Sequence, residues 1–173
     1  WEQLDAVRLN LDANFTLVAD LDASTPGYDT VANASANGDE GFEPIGNGTS
    51  PFTGSFDGTG STISDLYIDR GELSGVGLFG FVENGTVEDV GIENVDVTGD
   101  GVVGGLAAAN INGEITTSYV TGDVLGSDIV GGLVGQNINA TVSASHAAGT
   151  VDGSSTVGGL VGWNDGGTVT ASN

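Results

Sequence analysis

The chain has 173 residues, with 24 Asp and Glu against only two basic side chains, Arg8 and Arg70, for a formal net charge of -22. Cysteine is absent, which removes a disulfide framework and a thiolate metal site, and two arginines cannot supply the basic face that phosphate contacts need, which excludes nucleic acid as a partner. Hydrophobic residues still make up 38% and recur in register, which argues against disorder. Such an acid excess points to a protein that folds in concentrated salt, where at about 1 M the Debye length of about 3 Å removes most of the self-repulsion. No apolar run approaches the roughly 20 residues of a membrane-spanning helix, so no membrane insertion is expected of this piece. A start at Trp1 suggests a processed chain or an excised piece.

In chain order, Trp1, Leu4 and Val7 recur every three residues, which predicts a short amphipathic helix over residues 1–10, with Glu2 and Asp5 suited to its positive end. Leu11, Phe15, Leu17, Ala19 and Leu21 alternate and predict a first strand. Residues 22–55 are rich in Gly, Asn, Ser, Thr and Pro and read as a long loop with short strand pieces at best. Phe56 to Gly60 is a turn signal, followed by Ile63, Leu66 and Ile68. This divides the chain into a capping helix and lead-in region at 1–72 and uninterrupted repeats at 73–173, within one continuous domain.

The repeats share a short motif. Val76-Gly77-Leu78-Phe79-Gly80 returns as Val103-Gly104-Gly105-Leu106-Ala107-Ala108, then as Val130-Gly131-Gly132-Leu133-Val134-Gly135, then as Val157-Gly158-Gly159-Leu160-Val161-Gly162. Leu78, Leu106, Leu133 and Leu160 are spaced 28, 27 and 27 residues apart, and Val87, Ile115, Val142 and Val169 keep the same steps. Val97, Val124 and Val151 step by 27, as do Asn110, Asn137 and Asn164. A unit that cannot bury its apolar face alone is being stacked on copies of itself. Each copy holds three strand-like pieces, in the third repeat at 132–136, 141–144 and 149–151, separated by turn-forming Gly, Asn and Asp. The expected fold is therefore all-β: a three-sided parallel β-helix of about 27 residues per turn, with the ladders as straight stacks along its axis. The asparagines are expected to form a turn ladder of amide hydrogen bonds, which Val82 interrupts in the first repeat.

The segments at 131–137 and 158–164, Gly-Gly-Leu-Val-Gly-x-Asn, resemble the GLUG motif, named for its Gly-Leu-x-Gly core. Phe15 to Asp22, Phe42 to Gly46 and Phe52 to Ile68 are similar to the lead-in that precedes GLUG repeats in large surface proteins. The second repeat departs from the motif at Ala107-Ala108. The resemblance, together with the absence of Lys, implies a surface or adhesin-like β-helical module of the kind found in halophilic archaea, extracellular and without catalytic residues.

Other chemistry is sparse. Enzymatic β-helices need clustered carboxylates, or a calcium site beside a basic residue. Both arginines precede the repeats, and His146, the one histidine, occupies the repeat position of Tyr119, which reads as a stacking position. No serine elbow for Ser-His-Asp chemistry is found. Asp96-Val97-Thr98-Gly99-Asp100-Gly101 starts like a calcium loop, but the distal Glu is replaced by Ala107, so Asp96 and Asp100 are weak metal candidates. No cofactor is expected. Five N-x-S/T sequons occur, at Asn14, Asn33, Asn47, Asn84 and Asn139, of which Asn33 and Asn47 lie in the long loop.

The expected function is a non-catalytic structural or adhesive surface module. The alternatives are a subunit of an extracellular filament, docking through solenoid ends, and a polysaccharide-active β-helix enzyme. An ice-binding surface is more distant, because regular Thr-x-Thr arrays are missing. The expected partners are cell-surface glycans or proteins, and further repeats or other copies of the chain at the C-terminal end, where the strand Thr168 to Asn173 is expected to leave an unpaired edge.

Overall fold

In the computed structural model, residues 1–170 and 172 are described. Three parallel sheets form the walls of a β-solenoid. The first has six strands in axial order: Asn14–Thr16, Ser55–Asp57, Thr86–Glu88, Glu114–Thr116, Thr141–Ser143 and Thr168–Thr170. The third sheet stacks Phe79–Glu83, Ala107–Ile111, Val134–Ile138 and Val161–Asp165. The second sheet is the longest wall. It takes Thr62–Ser64 and Tyr67–Val76 from one turn and Gly91–Gly104 from the next. Tyr119–Leu125 with Ile129–Gly131, then His146–Asp152 with Thr156–Gly158, complete it. The second wall therefore carries two strand pieces per turn in the later repeats, which makes four pieces per turn rather than the three expected. In the third repeat the strand limits fall at Val134–Ile138, Thr141–Ser143 and His146–Asp152, with Ile129–Gly131 added.

Register explains the spacing. Val87 pairs with Ile115, Ile115 with Val142, and Val142 with Val169, so steps of 28, 27 and 27 residues each return the chain to the same point one layer on. Phe56 and Phe15 extend this stack toward the N-terminus. Ile68 heads the column of Val97, Val124 and Val151 in the same way. Leu78, Leu106 and Leu133 are fully buried, and Leu160 packs against the same core from a half-buried position. The motif glycines allow the layers to close: a Cβ on Gly131 would lie 2.0 Å from the carbonyl oxygen of Val134.

The N-terminal cap is shorter than its apolar spacing suggests. One α-turn, Glu2–Asp5, runs into a 3-10 turn, Ala6–Leu9. Spacing of three suits a 3-10 turn as well as an α-helix, and Trp1, Leu4 and Val7 are buried by it. The alternating stretch after it pairs only over Asn14–Thr16, because the chain then rounds a corner, with Val18 85% exposed, and rejoins at the Leu21–Ile63 bridge. Residues 22–55 contain a helical turn, Tyr28–Val31, where a loop was expected. Ala32, Ala36, Phe42 and Ile45 are buried and pin this segment to the solenoid. The strand Tyr67–Val76 runs unbroken across residues 72 and 73.

Candidate functional site

The most ordered polar array is the asparagine column. Asn110 Nδ2 donates to Asn137 Oδ1 at 3.1 Å and to the carbonyl of Thr141 at 3.3 Å. Asn137 Nδ2 donates to Asn164 Oδ1 at 2.8 Å and to the carbonyl of Ala140 at 2.9 Å, and Asn164 Nδ2 reaches the carbonyl of Gly167 at 2.9 Å. Asn137 thus ties its own corner to the next layer, while Asn110 donates only to the next layer and Asn164 only to its own corner. Asn110 and Asn137 are fully buried. Where Asn110 meets Val82, its Oδ1 has no partner, so the column ends on an unsatisfied acceptor.

A second polar column escaped the sequence reading. Ser145 Oγ accepts from the Ser118 amide at 3.1 Å, and Ser172 Oγ from the Ser145 amide at 3.2 Å. Each hydroxyl also donates back two residues, Ser118 to Thr116 and Ser145 to Ser143. The signal was the 27-residue step of Ser118, Ser145 and Ser172, hidden because serine is common in this chain.

The five sequons occupy three kinds of place. Asn84 and Asn139 sit at one solenoid corner with left-handed backbone, φ 55 and 49, and Asn112 at φ 51 occupies the layer between them. Asn14 lies in an extended strand paired with Ser55. Asn33 and Asn47 lie in the long loop. Asn33 Oδ1 accepts from the amide and hydroxyl of Ser35, and its Nδ2 donates to Asp29 at 2.8 Å. Asn47 Oδ1 accepts from the amides of Thr49 and Ser50 at 2.9 and 3.0 Å.

Both arginines are spent on one contact. Arg8 Nη1 meets Glu43 at 2.5 Å, Arg8 also pairs with Asp5, and its guanidinium lies 5.6 Å from the centre of the Phe42 ring. Arg70 Nη1 meets Glu40 at 2.6 Å, and its Nε donates to the carbonyl of Phe42 at 3.3 Å. Both cations contact buried Phe42, Arg8 at its ring and Arg70 at its carbonyl, and tie residues 40–43 to the N-terminal turn and to the second wall.

His146 stacks on Tyr119 with ring centres 5.1 Å apart and planes at 8°. The Tyr119 hydroxyl donates to Glu93 at 2.6 Å, which together with burial pushes the phenol up to about 12. Asp96 and Asp100 do not begin a calcium loop. Both lie within the strand Gly91–Gly104, and four residues of extended chain set them about 13 Å apart. Asp100 instead accepts from Ser127, which holds its carboxyl below the usual range. Asp96 faces Asp123 on the next layer; burial first, then the charges of Asp123 and Asp69, pushes its carboxyl up. Among the described residues, no group of three His, Asp or Glu is placed to hold a metal. An open apolar cavity of about 180 Å³ beneath the N-terminal turn is lined by Trp1, Leu4, Val7, Phe15, Leu17 and Phe56 among others, none with a titratable side chain. No helix among the described residues is long and apolar enough to cross a membrane. Of the C-terminal edge, Thr168–Thr170 pairs on one side with Thr141–Ser143, while Ala171 and Asn173 lie outside the described residues.

No protein-family profile matches the chain. It is 44% identical over 118 residues to halomucin of Haloquadratum walsbyi, a match covering 64% of this chain and 1% of that protein. It is 36% identical over 113 residues to a protein of Evansella cellulosilytica provisionally named a Gly-rich membrane protein, covering 62% of this chain and 12% of the other. The chain thus spans a small part of either relative. A Bacteroides ovatus crystal structure, provisionally named an immunoglobulin A1 protease, superposes with a TM-score of 0.63 over 99% of this chain and 64% of that one. At 18% identity, that likeness concerns the fold alone.

Proposed function

We propose that the chain is an extracellular, non-catalytic β-solenoid module of a halophilic cell-surface protein, with a structural or adhesive role. The observation that carries this reading is the placement of charge. No Asp or Glu is among the buried residues, so all the acid is on or near the surface, while both arginines hold one loop down. Such a surface suits brine, and both arginines are already paired with carboxylates. Inside, the side chains serve stacking. The 44% identity over 118 residues to halomucin of Haloquadratum walsbyi supports the same reading. The module acts by shape: a rod with repeated faces that projects, spaces or adheres through many weak contacts. Antibody labelling of intact and lysed cells of the producing organism tests this. Labelling of intact cells supports the surface reading, and labelling confined to lysed cells contradicts it.

One observation favours a polysaccharide-active enzyme as a second reading. Asp96 and Asp123 are register partners on adjacent layers, whose strands lie about 4.8 Å apart, and the Asp96 carboxyl is pushed up. Neither the apolar cavity nor the pocket at Ala23 to Thr30 includes them, so neither holds a sugar over the pair. Reducing ends released from acidic polysaccharides in high salt, and lost in Asp96→Asn, would favour the enzyme.

A further inference from the structure

We propose that Asn47 is the N-glycosylated residue of this chain, its glycan coming from a lipid-phosphate-linked oligosaccharide. An acceptor asparagine must offer a free amide nitrogen, a hydroxyl two residues on, and open space around both. The five sequons differ on each count.

Asn47 meets all three conditions. Ile45 and Phe52 are buried and bridge to Phe79 and Val82, so residues 47–50 form an exposed tip between two anchored points. The Asn47 side chain folds back so that Oδ1 takes two amides, which fixes the carboxamide and leaves Nδ2 with no hydrogen-bond partner among the described residues. Thr49 is exposed and its hydroxyl is unpaired among the described residues. A glycan on Nδ2 keeps both Oδ1 bonds intact. It extends from a tip whose Gly48 borders the Phe81 ring on the third wall.

The other four fall short. Asn33 is half-buried, its Nδ2 is engaged by Asp29, and the Ser35 hydroxyl is turned onto Asn33 itself. Asn14 and Thr16 belong to an extended strand locked to Ser55–Asp57, which holds the amide and hydroxyl apart. Asn84 and Asn139 answer a backbone demand. Their corner needs a left-handed residue, which Asn tolerates, and Asn112 fills it in the layer between although Glu114 replaces the sequon hydroxyl there. Asn139 also packs closely, since a Cβ on Gly166 would lie 2.5 Å from its Oδ1.

In the transfer, the Nδ2 lone pair attacks the anomeric carbon of the donor sugar. A C–N bond forms and the anomeric C–O bond breaks. The lipid phosphate departs with the electron pair, and the amide gives one proton to the transferase's base. The inference rests on the surface reading, because only an exported chain meets such a donor.

The test supplies export itself, so its failure is distinct from failure of the surface reading. The chain, fused to a secretion signal, is made in a haloarchaeal host that glycosylates its own surface protein, and is digested at acidic residues for glycopeptide mass spectrometry. The expected result is a glycan mass on the Asn47 peptide, lost in Thr49→Ala and kept in Thr49→Ser, both of which retain the residue-49 amide bonded to Asn47. An unmodified Asn47 beside a modified host protein overturns the proposal. So does occupancy at Asn14, Asn33, Asn84 or Asn139 that exceeds that at Asn47.

Discussion

Arg70 and Glu40 meet at 2.6 Å across 30 residues of chain, and the same guanidinium donates to the carbonyl of Phe42. In a chain with two arginines and no lysine, one of the two thus secures a segment that is otherwise held by buried Ala32, Ala36, Phe42 and Ile45. The Arg70 side chain is 14% exposed, so the contact is partly shielded from solvent ions. Arg70→Ala should therefore cost about 2 kcal/mol, the range of hydrogen bonds to charged groups, even in concentrated salt. Urea melts in about 3 M salt would measure this. Limited proteolysis should show faster cutting within residues 33–41, with the solenoid walls still protected.

Asn137 should be the most sensitive member of its column. Its removal takes a donor from Ala140 and from Asn164 and an acceptor from Asn110, all at a fully buried site. Asn137→Ala is expected to cost about 3 kcal/mol, since buried groups left unpaired bear their full desolvation cost. Asn164→Ala, at an exposed position, should cost less than about 1 kcal/mol. Equal losses in chemical denaturation of the two variants would show that the column carries no interlayer coupling.

The Glu93–Tyr119 contact makes a pH prediction. The folded phenol titrates at about 12, above its ordinary 10.0, first because it donates to Glu93 and then through burial. A folded value above the unfolded one means that the contact's stabilisation is fully present below about pH 10 and is lost as pH rises through about 12. In Glu93→Ala, one of the three tyrosines should titrate closer to 10 by ultraviolet absorbance. Tyr28 and Tyr67 are held up by burial first and by neighbouring carboxylates other than Glu93, so they should keep their titration. Superimposable curves for parent and variant would remove the contact from solution.

What the sequence revealed follows from period. Leu133 and Ile115 were legible because an axial stack forces the same residue type to return every 27 positions. The columns' upper ends were harder to see: Phe15, Phe56 and Ile68 change residue type and precede the regular motif, yet occupy the same register. The helical turn at Tyr28 lay within polar, glycine-rich sequence, and its anchors are far away in the chain: the Tyr28 hydroxyl donates to the carbonyl of Asp65, and its ring lies 5.6 Å from that of Trp1. Among the sites, the asparagine step was visible. The contrast between Asn33 and Asn47 was not, since identical sequons say nothing about which amide nitrogen is already bonded.

Salt dependence of folding tests the account most directly. A net charge of -22, with no Asp or Glu among the buried residues, must repel itself across every layer of the solenoid. The screening distance grows from about 2 Å at about 3 M salt to about 10 Å at about 0.1 M, beyond the roughly 4.8 Å between layers. The two arginine contacts strengthen on dilution, but they are few against 24 acids. The melting temperature, followed by circular dichroism from high to low sodium chloride, should fall steeply, with unfolding at the dilute end. A melting temperature unchanged across that range would contradict a solenoid built for brine.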